Sequence, residues 1–143
     1  MRTRILGTGR YLPQRVVSND ELATLLTTSD EWIFQRSGIK ERRYAGDGDT
    51  PATMGCEAAR QALEMAGVRA DQVEFMICST QTPECHFPGT GCFIQHRMGL
   101  PNIGALDIRN QCTGFLYGLS LADAYIRTGT YKYILLVCPE LHS

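Results

Sequence analysis

The stretch ALDIRNQCTGFLYGL, residues 105–119, predicts a strand, a tight junction and the start of a helix. Cys112 lies at the junction, and Thr113 and Gly114 leave little bulk to shield its sulfur. A helix N-terminus offers free N–H groups and partial positive charge, so it favours an anion. We therefore take Cys112 as a candidate nucleophile that carries an acyl group. From the local sequence, a buried structural cysteine stays open as the alternative.

Strands and helices alternate on both sides of this stretch. Apolar runs predict strands over 4–9, 73–79, 103–108 and 131–138, and helical periodicity predicts helices over 52–66, 87–98 and 115–127. Residues 40–49 are polar, contain two glycines and predict a loop. The alternation is typical of an α/β layered fold, in which a mostly parallel sheet lies between helices.

Capping residues mark several helix boundaries. Ser18 precedes an acidic residue at capping-box spacing and predicts the start of a short helix. Ser29 and Gly38 predict the two ends of a second helix, and Thr50, followed by proline, predicts the start of the third.

Composition narrows the class of protein. A length of 143 residues suits about one domain, and 43% apolar with 20% charged residues is an ordinary globular composition. The net charge of −1 provides no general basic surface for nucleic acid or anionic lipid. No stretch approaches the ~20 apolar residues of a membrane span, and the first residues lack the apolar run of a signal peptide. We therefore expect a cytoplasmic protein with neither a membrane span nor a nucleic-acid partner.

The other cysteines are expected to be structural or unreactive. No CxxC pair occurs, and without an export signal the thiols should be reduced. Small buried side chains are predicted at Cys56, Cys78, Cys92 and Cys138. A zinc site made of Cys85, His86, Cys92 and His96 is disfavoured, because the spacing lacks the paired ligands of structural sites. We expect no metal and no cofactor.

Two further features carry an alternative each. Trp32 and Arg36 are four residues apart on a predicted helix and share a face. They could bind an aromatic base and a phosphate, or Trp32 could anchor the helix in the core. The basic residues within 40–43 fit either a solvated loop or a phosphate contact. Gly7 and Gly9 lack the third glycine and the lysine of a phosphate-binding loop.

Separate blocks along the whole chain resemble the N-terminal part of β-ketoacyl-acyl carrier protein synthase III, a thiolase-fold condensing enzyme. The blocks include ILGTGRYLP at 5–13, TSDEW at 28–32, RSGI at 36–39, TMG at 53–55, FP at 87–88, CTGF at 112–115 and ADAY at 122–125. The resemblance implies the N-terminal half of a thiolase-like layered fold over residues 1–143, with the C-terminal half absent from this chain.

The resemblance also implies a reaction and a set of site residues. Cys112 takes an acyl group from acyl-CoA, and the acyl-enzyme condenses with malonyl-acyl carrier protein as CO₂ is lost, which initiates fatty acid or related polyketide synthesis. Thr28, Trp32 and Arg36 match the positions that bind CoA. Phe87 matches the loop that crosses a homodimer interface and shapes the acyl pocket. The CoA thioester is a substrate, and no cofactor is implied.

Two departures from the family pattern leave alternatives open. Residues 110–113 read NQCT where small apolar residues are common, and residues 138–140 read CPE where Gly-Ser-Asp is usual. An acyltransferase that uses a hydroxyl or amine acceptor is therefore one alternative. A non-catalytic role for an isolated half-domain is the other. The His and Asn that promote decarboxylation are expected in the C-terminal half, and that role is not assigned to His86, His96 or His142.

Overall fold

The computed structural model describes residues 2–143, which divide into two units. The larger, called the sheet unit, contains the N-terminal segment up to Tyr11 and residues Thr50–His142. The smaller, called the ribbon unit, contains Leu12–Asp49 together with Ser143. The single thiolase-like domain expected over residues 1–143 stays a prediction.

The ribbon unit contains two short strands and two helices. Its elements are β1 (Arg15–Ser18), α1 (Asn19–Leu25), α2 (Asp30–Ser37) and β2 (Glu41–Tyr44). The strands pair antiparallel, with Arg15 opposite Tyr44. The loop predicted over 40–49 is therefore wrong for 41–44. A strand of four mostly polar residues has no local signal of its own, because it forms only when a distant partner satisfies its backbone.

A buried asparagine holds the ribbon unit together. Asn19 is 1% exposed, and its Nδ2 donates to Asp30 Oδ1 and to the Ile39 carbonyl, both at 2.7 Å. Arg42 donates to Asn19 Oδ1 and to the Val17 carbonyl. The polar atoms of Asn19 are thus satisfied, as a buried amide requires. The Arg42 guanidinium therefore makes internal hydrogen bonds, so Arg42 does not lie in a purely solvated loop.

The predicted caps are confirmed. Ser18 Oγ accepts the N–H of Glu21, and Ser29 Oγ accepts the N–H of Trp32, each at 3.1 Å. Gly38 ends α2 in the left-handed conformation. In the sheet unit, Thr50 Oγ1 accepts the N–H of Thr53 at 3.1 Å and caps the first long helix.

The sheet unit alternates helices with parallel strands. Its elements are α3 (Pro51–Ala66), β3 (Phe75–Ser79), α4 (Thr90–Met98), β4 (Gly104–Ile108), α5 (Gly114–Arg127) and β5 (Ile134–Val137). The strand order is β4-β3-β5, and Phe75 lies opposite both Gly104 and Ile134. The predicted α/β architecture with a parallel sheet is confirmed. Helix α4 begins three residues later than predicted. Phe87 precedes a proline and is therefore disfavoured in a helix, and Gly89 is the extended N-cap residue.

The sheet is covered on both faces, which explains the uniformly apolar sequence of its central strand. Met76, Ile77 and Cys78 of β3 are each 0% exposed. Helix α4 connects β3 to β4, and helix α5 connects β4 to β5, which is the opposite direction across the sheet. Right-handed crossovers therefore place the two helices on opposite faces of the sheet. Helix α3 packs beside α4.

The strand predicted over 4–9 is wrong. No strand is assigned in residues 2–14. The segment lies against α3 instead. A Cβ on Gly7 would overlap the carbonyl oxygen of Ala62, and a Cβ on Gly9 would overlap that of Ala58. A cavity of about 600 Å³ is lined by this segment together with β5, α3 and α5. Because no strand of the described residues is paired with the segment, its apolar pattern joins no ladder. Its two glycines serve this close packing.

Within residues 2–143, every helix is too short or too polar to cross a lipid bilayer.

Candidate active site

Three loops meet at the carboxyl edge of the parallel sheet. They follow β3, β4 and β5 and begin at Thr80, Arg109 and Cys138. In parallel α/β sheets this edge, next to the point where the strand order reverses, is where ligands bind. Here β3 lies between β4 and β5, so the reversal is at β3. The loop that contains Cys112 is the second of the three.

Cys112 lies between a strand and a helix, as the sequence predicts. It is the middle residue of a 3₁₀ turn, Gln111–Thr113, which leads directly into α5. Its side chain is exposed. Gly114 begins the helix and is buried against the end of β3, where a Cβ would overlap Ser79 Oγ. The small residue therefore lets α5 start directly on the sheet and presents the thiol at its edge.

The turn before Cys112 contains an uncommon backbone conformation. Gln111 has φ of +45°, and it alone among the described non-glycine residues has a positive φ. For a residue with a Cβ this conformation costs on the order of 1 kcal/mol, so its surroundings must hold it. Asn110 and Thr113 close the turn, because Asn110 Nδ2 donates to Thr113 Oγ1 at 2.8 Å and Thr113 Oγ1 donates to the Asn110 carbonyl at 2.9 Å.

Gln81, in the loop after β3, contacts the same turn. With its amide oxygen towards the turn, Gln81 Oε1 accepts the N–H of Asn110 at 2.9 Å and that of Gln111 at 3.2 Å. The opposite orientation would set the amide nitrogen against these two donors. Two backbone donors that precede Cys112 are therefore satisfied by one side chain from the neighbouring strand's loop.

Glu140 joins the third loop to the first. Its Oε1 accepts the backbone N–H of Gln81 at 2.7 Å, and its Oε2 accepts the Thr82 hydroxyl at 3.1 Å. The Leu141 N–H in turn donates to Thr82 Oγ1 at 2.9 Å. The sequence reasoning missed Gln81 and gave Glu140 no role. The signal that could have found both is their position directly after strands of one parallel sheet.

The other thiols have different surroundings. Burial raises the pKa of Cys56 and that of Cys78, which lies inside β3. Partial desolvation and the Glu140 carboxylate raise the pKa of Cys138 to about 11. The prediction of buried side chains is confirmed for Cys56 and Cys78 and is wrong for Cys92 and Cys138, which are exposed. Both exposed residues lie at places where an element begins or ends, in the first turn of α4 and just after β5.

Among the described residues, no hydrogen bond joins a histidine to the Cys112 thiol. His86 Nδ1 lies 3.3 Å from Arg109 Nη1, and His142 Nε2 lies 3.7 Å from Glu140 Oε2. His96 is in the last turn of α4. No cluster of three or more His, Cys, Asp or Glu side chains arranged to bind a metal occurs in residues 2–143.

The predicted CoA-binding residues lie in the ribbon unit. Arg36 stacks on Trp32, with its Cζ 4.4 Å from the ring centroid, so the two share a face as the spacing requires. Trp32 is 53% exposed and α2 contains no buried residue, which argues against a core anchor. Thr28 Oγ1 is buried and has no hydrogen-bond partner among the described residues.

Phe87 lies in the loop between β3 and α4 and is 90% exposed. Glu84 anchors this loop, because its carboxylate accepts the N–H of Ala52 at 2.6 Å and the hydroxyl of Thr90 at 3.1 Å. Burial raises the pKa of Glu84, but the hydrogen bonds that its carboxylate accepts outweigh that effect and hold the pKa below its ordinary value. One carboxylate thereby ties the starts of α3 and α4 to the loop that presents Phe87.

Known proteins resemble this chain in sequence and in fold. The family model for 3-oxoacyl-[acyl-carrier-protein (ACP)] synthase III matches residues 106–143, which include Cys112. The β-ketoacyl-[acyl-carrier-protein] synthase III of Allorhizobium ampelinum is 46% identical over 100% of this chain. The crystal structure of 3-oxoacyl-[acyl-carrier-protein] synthase III from Aquifex aeolicus covers 96% of the chain with a TM-score of 0.94 and 40% identity.

The chain matches the N-terminal part of β-ketoacyl-[acyl-carrier-protein] synthase III. It spans 44% of the Allorhizobium synthase and 44% of the Aquifex synthase chain. A priming β-ketosynthase from the R1128 polyketide biosynthetic pathway is also similar, with a TM-score of 0.93 and 39% identity over 96% of this chain and 41% of its own. The resemblance to synthase III and the thiolase-like fold predicted from sequence are therefore confirmed. The roles predicted for individual residues stay predictions.

Proposed function

We propose that this chain carries the acyl-accepting part of a β-ketoacyl-[acyl-carrier-protein] synthase III-type condensing enzyme. The observation that supports it is the position of Cys112. The thiol is exposed at the carboxyl edge of the sheet, at the start of α5, and inside the segment that matches the synthase III family model. An exposed thiol beside a helix N-terminus is a setting in which cysteine acts as a nucleophile.

In the first step, the Cys112 thiolate attacks the carbonyl carbon of an acyl-CoA thioester. The tetrahedral intermediate collapses, the bond to the CoA sulfur breaks, and CoA leaves as the acyl group stays on Cys112. One thioester replaces another, so the exchange has little thermodynamic cost. The backbone N–H of Cys112 is proposed to help stabilise the oxyanion.

In the second step, malonyl-acyl carrier protein loses CO₂, and the resulting enolate carbon attacks the acyl-cysteine. The new carbon–carbon bond gives a β-ketoacyl-acyl carrier protein and releases the thiol. The groups that promote decarboxylation are expected in the part of the relatives that this chain does not span. The chain supplies the nucleophile and part of the CoA entrance.

The proposed substrate contacts follow from the chemistry of CoA. Trp32 offers an exposed ring for the adenine, and Arg36 offers a guanidinium for a phosphate. Thr28 is proposed to contact the same nucleotide. Phe87 is proposed to cross into a second copy of the chain and to shape its acyl pocket, which fits a residue that is 90% exposed. The partners proposed are acyl-CoA, acyl carrier protein and a second protomer, and the reaction needs no cofactor.

A mass-tagged acyl-CoA tests the proposal. Incubation with the chain should add one acyl group, which peptide mapping should locate on Cys112. A chase with malonyl-acyl carrier protein, in the presence of the separately expressed C-terminal part of a relative, should then yield a β-ketoacyl product. Transfer to an alcohol or amine in place of condensation would favour the acyltransferase alternative. Absence of acyl-Cys112 would contradict both.

A further inference from the structure

Gln81 lies outside the residues that the family resemblance singles out, yet it contacts the nucleophile's turn directly. Its Oε1 accepts the N–H groups of Asn110 and Gln111, the two residues immediately before Cys112. Its own backbone N–H is fixed by Glu140 at 2.7 Å. A side chain held at its base and bonded at its tip can determine the conformation of the backbone that it contacts.

We propose that Gln81 is a positioning residue, whose amide oxygen holds the Asn110–Gln111 backbone in the conformation that presents the Cys112 thiol to the acyl donor. The contact of Gln81 with this backbone rests on geometry alone, and its effect on the acylation of Cys112 rests on the proposed function.

The backbone of Gln111 shows why such a residue is needed. Its φ of +45° is unfavourable for a residue with a Cβ, and glycine would adopt it freely. Glutamine at this position keeps the conformation only when its surroundings stabilise it. The bond from the Gln111 N–H to Gln81 exists only while that N–H points towards the loop after β3. Relaxation to a common backbone conformation would break it and would turn the following residue, Cys112.

The three loops at the sheet edge thus form one connected chain of hydrogen bonds. Glu140 after β5 holds the backbone of Gln81 after β3, and the Gln81 side chain holds the turn after β4. The order of the strands, with β3 in the centre, makes this possible, because only the loop after β3 adjoins both others. Gln81 acts on Cys112 through the backbone and does not touch the substrate.

Two variants separate the oxygen of Gln81 from its size. Gln81→Met keeps the length of the side chain and removes the acceptor, whereas Gln81→Glu keeps an acceptor oxygen. In both, the backbone bond to Glu140 remains, so the loop itself should stay in place. Cys92, exposed in α4, provides an internal standard in the same molecule.

Amide hydrogen exchange tests the contact independently of any activity. The Asn110 and Gln111 amides should be protected in the native chain and in Gln81→Glu, and should lose that protection in Gln81→Met. Equal protection in all three proteins would overturn the proposal.

Acylation by acyl-CoA tests the consequence. In Gln81→Met, kcat for acylation of Cys112 should fall, on the order of 10²-fold at most, because a displacement of about 1 Å at a reacting atom can cost that much. KM for acyl-CoA should not change, and Gln81→Glu should recover most of kcat. Alkylation of Cys112 relative to Cys92 by a small reagent should stay within a few-fold, since the thiol is still exposed. An unchanged kcat in Gln81→Met would overturn the positioning role. If the native chain is not acylated but the exchange pattern appears as expected, then the proposed function fails and the contact stands.

Discussion

Cys112 and Cys138 occupy comparable places in the fold but have different surroundings. Each is exposed, and each follows a strand of the same parallel sheet at its carboxyl edge. Cys138 comes directly after β5, where partial desolvation and the Glu140 carboxylate raise its pKa to about 11. Cys112 lies in a turn that Gln81 holds and that opens helix α5.

The two cysteines differ in the residues that follow each strand. A helix N-terminus, a setting that favours a thiolate, follows Cys112, whereas partial desolvation and a nearby carboxylate oppose ionisation of Cys138. Glu140 has two effects in this comparison. Its negative charge opposes ionisation of Cys138, and the same carboxylate fixes the backbone of Gln81 beside the Cys112 turn.

The largest expected effect is on acyl transfer itself. Cys112→Ala should abolish the labelling of the chain by a mass-tagged acyl-CoA, because the nucleophile is removed. Cys138→Ala is the matched control at the same sheet edge and should label like the native chain. Intact-mass spectrometry gives the result, and labelling that persists in Cys112→Ala would end the assignment.

The rate of alkylation as a function of pH measures the raised pKa of Cys138. With its pKa raised from 9.0 to about 11, Cys138 should have a thiolate fraction at about pH 8 that is roughly 100-fold below that of an unperturbed thiol. Its labelling by iodoacetamide should therefore lag that of the same cysteine in the urea-unfolded chain, and should rise about tenfold per pH unit towards pH 11. Peptide mass spectrometry resolves the site.

Glu140→Gln measures how much the carboxylate charge adds to the effect of desolvation on Cys138. The variant removes the negative charge and keeps an acceptor oxygen for the Gln81 N–H. The pKa of Cys138 should move down towards its ordinary value, and alkylation at a fixed pH should become faster. A rate that does not change would leave desolvation alone as the cause.

A fourth experiment separates thiol chemistry from substrate binding. Trp32→Ala should raise the acyl-CoA KM for labelling of Cys112, by the equivalent of roughly 1–3 kcal/mol if a base stacks on the ring. Alkylation of Cys112 and Cys138 by iodoacetamide, which has no nucleotide, should not change. Phe34→Ala is the matched control, because Phe34 is an exposed aromatic residue on the same helix. An equal rise of KM in both variants would return Trp32 to a structural role.

Local sequence predicted the elements whose signals are local. The caps at Ser18, Ser29 and Thr50 need only the few residues that follow them, and each is present. The three central strands and the helices between them have their own periodicity, and their bounds agree within three residues. The position of Cys112 between β4 and α5 was likewise predicted from the local sequence.

Elements that depend on distant partners could not be predicted in this way. Segment 4–9 has the composition of a strand, but no strand is paired with it within the described residues. The pairing of β1 with β2 joins residues 15 and 44. The contact of Gln81 with the Cys112 turn depends on the strand order, which periodicity does not contain. The available signal was that Gln81 follows a strand of the parallel sheet. This position predicts that Gln81 lies at the carboxyl edge, but it does not predict which residue Gln81 contacts.

The smallest expected effect concerns the stability of the sheet unit that carries both cysteines. Glu84 accepts hydrogen bonds from Ala52 and Thr90 at the starts of α3 and α4, and its pKa is lowered from 4.5. Glu84→Gln should reduce the free energy of unfolding at neutral pH by about 1 kcal/mol, a helix-cap value that water screening keeps small. A lowered pKa in the folded state stabilises above the unfolded value, and this contribution is lost as the pH falls through the folded value. The difference between native and variant in urea unfolding should therefore shrink from about pH 6 to about pH 3.

Glu57→Gln is the control. It removes an exposed carboxylate of α3 that pairs with Arg60, so it should change stability little at either pH. If the Glu84→Gln difference is the same at both pH values, then the carboxylate charge of Glu84 does not hold the helix starts.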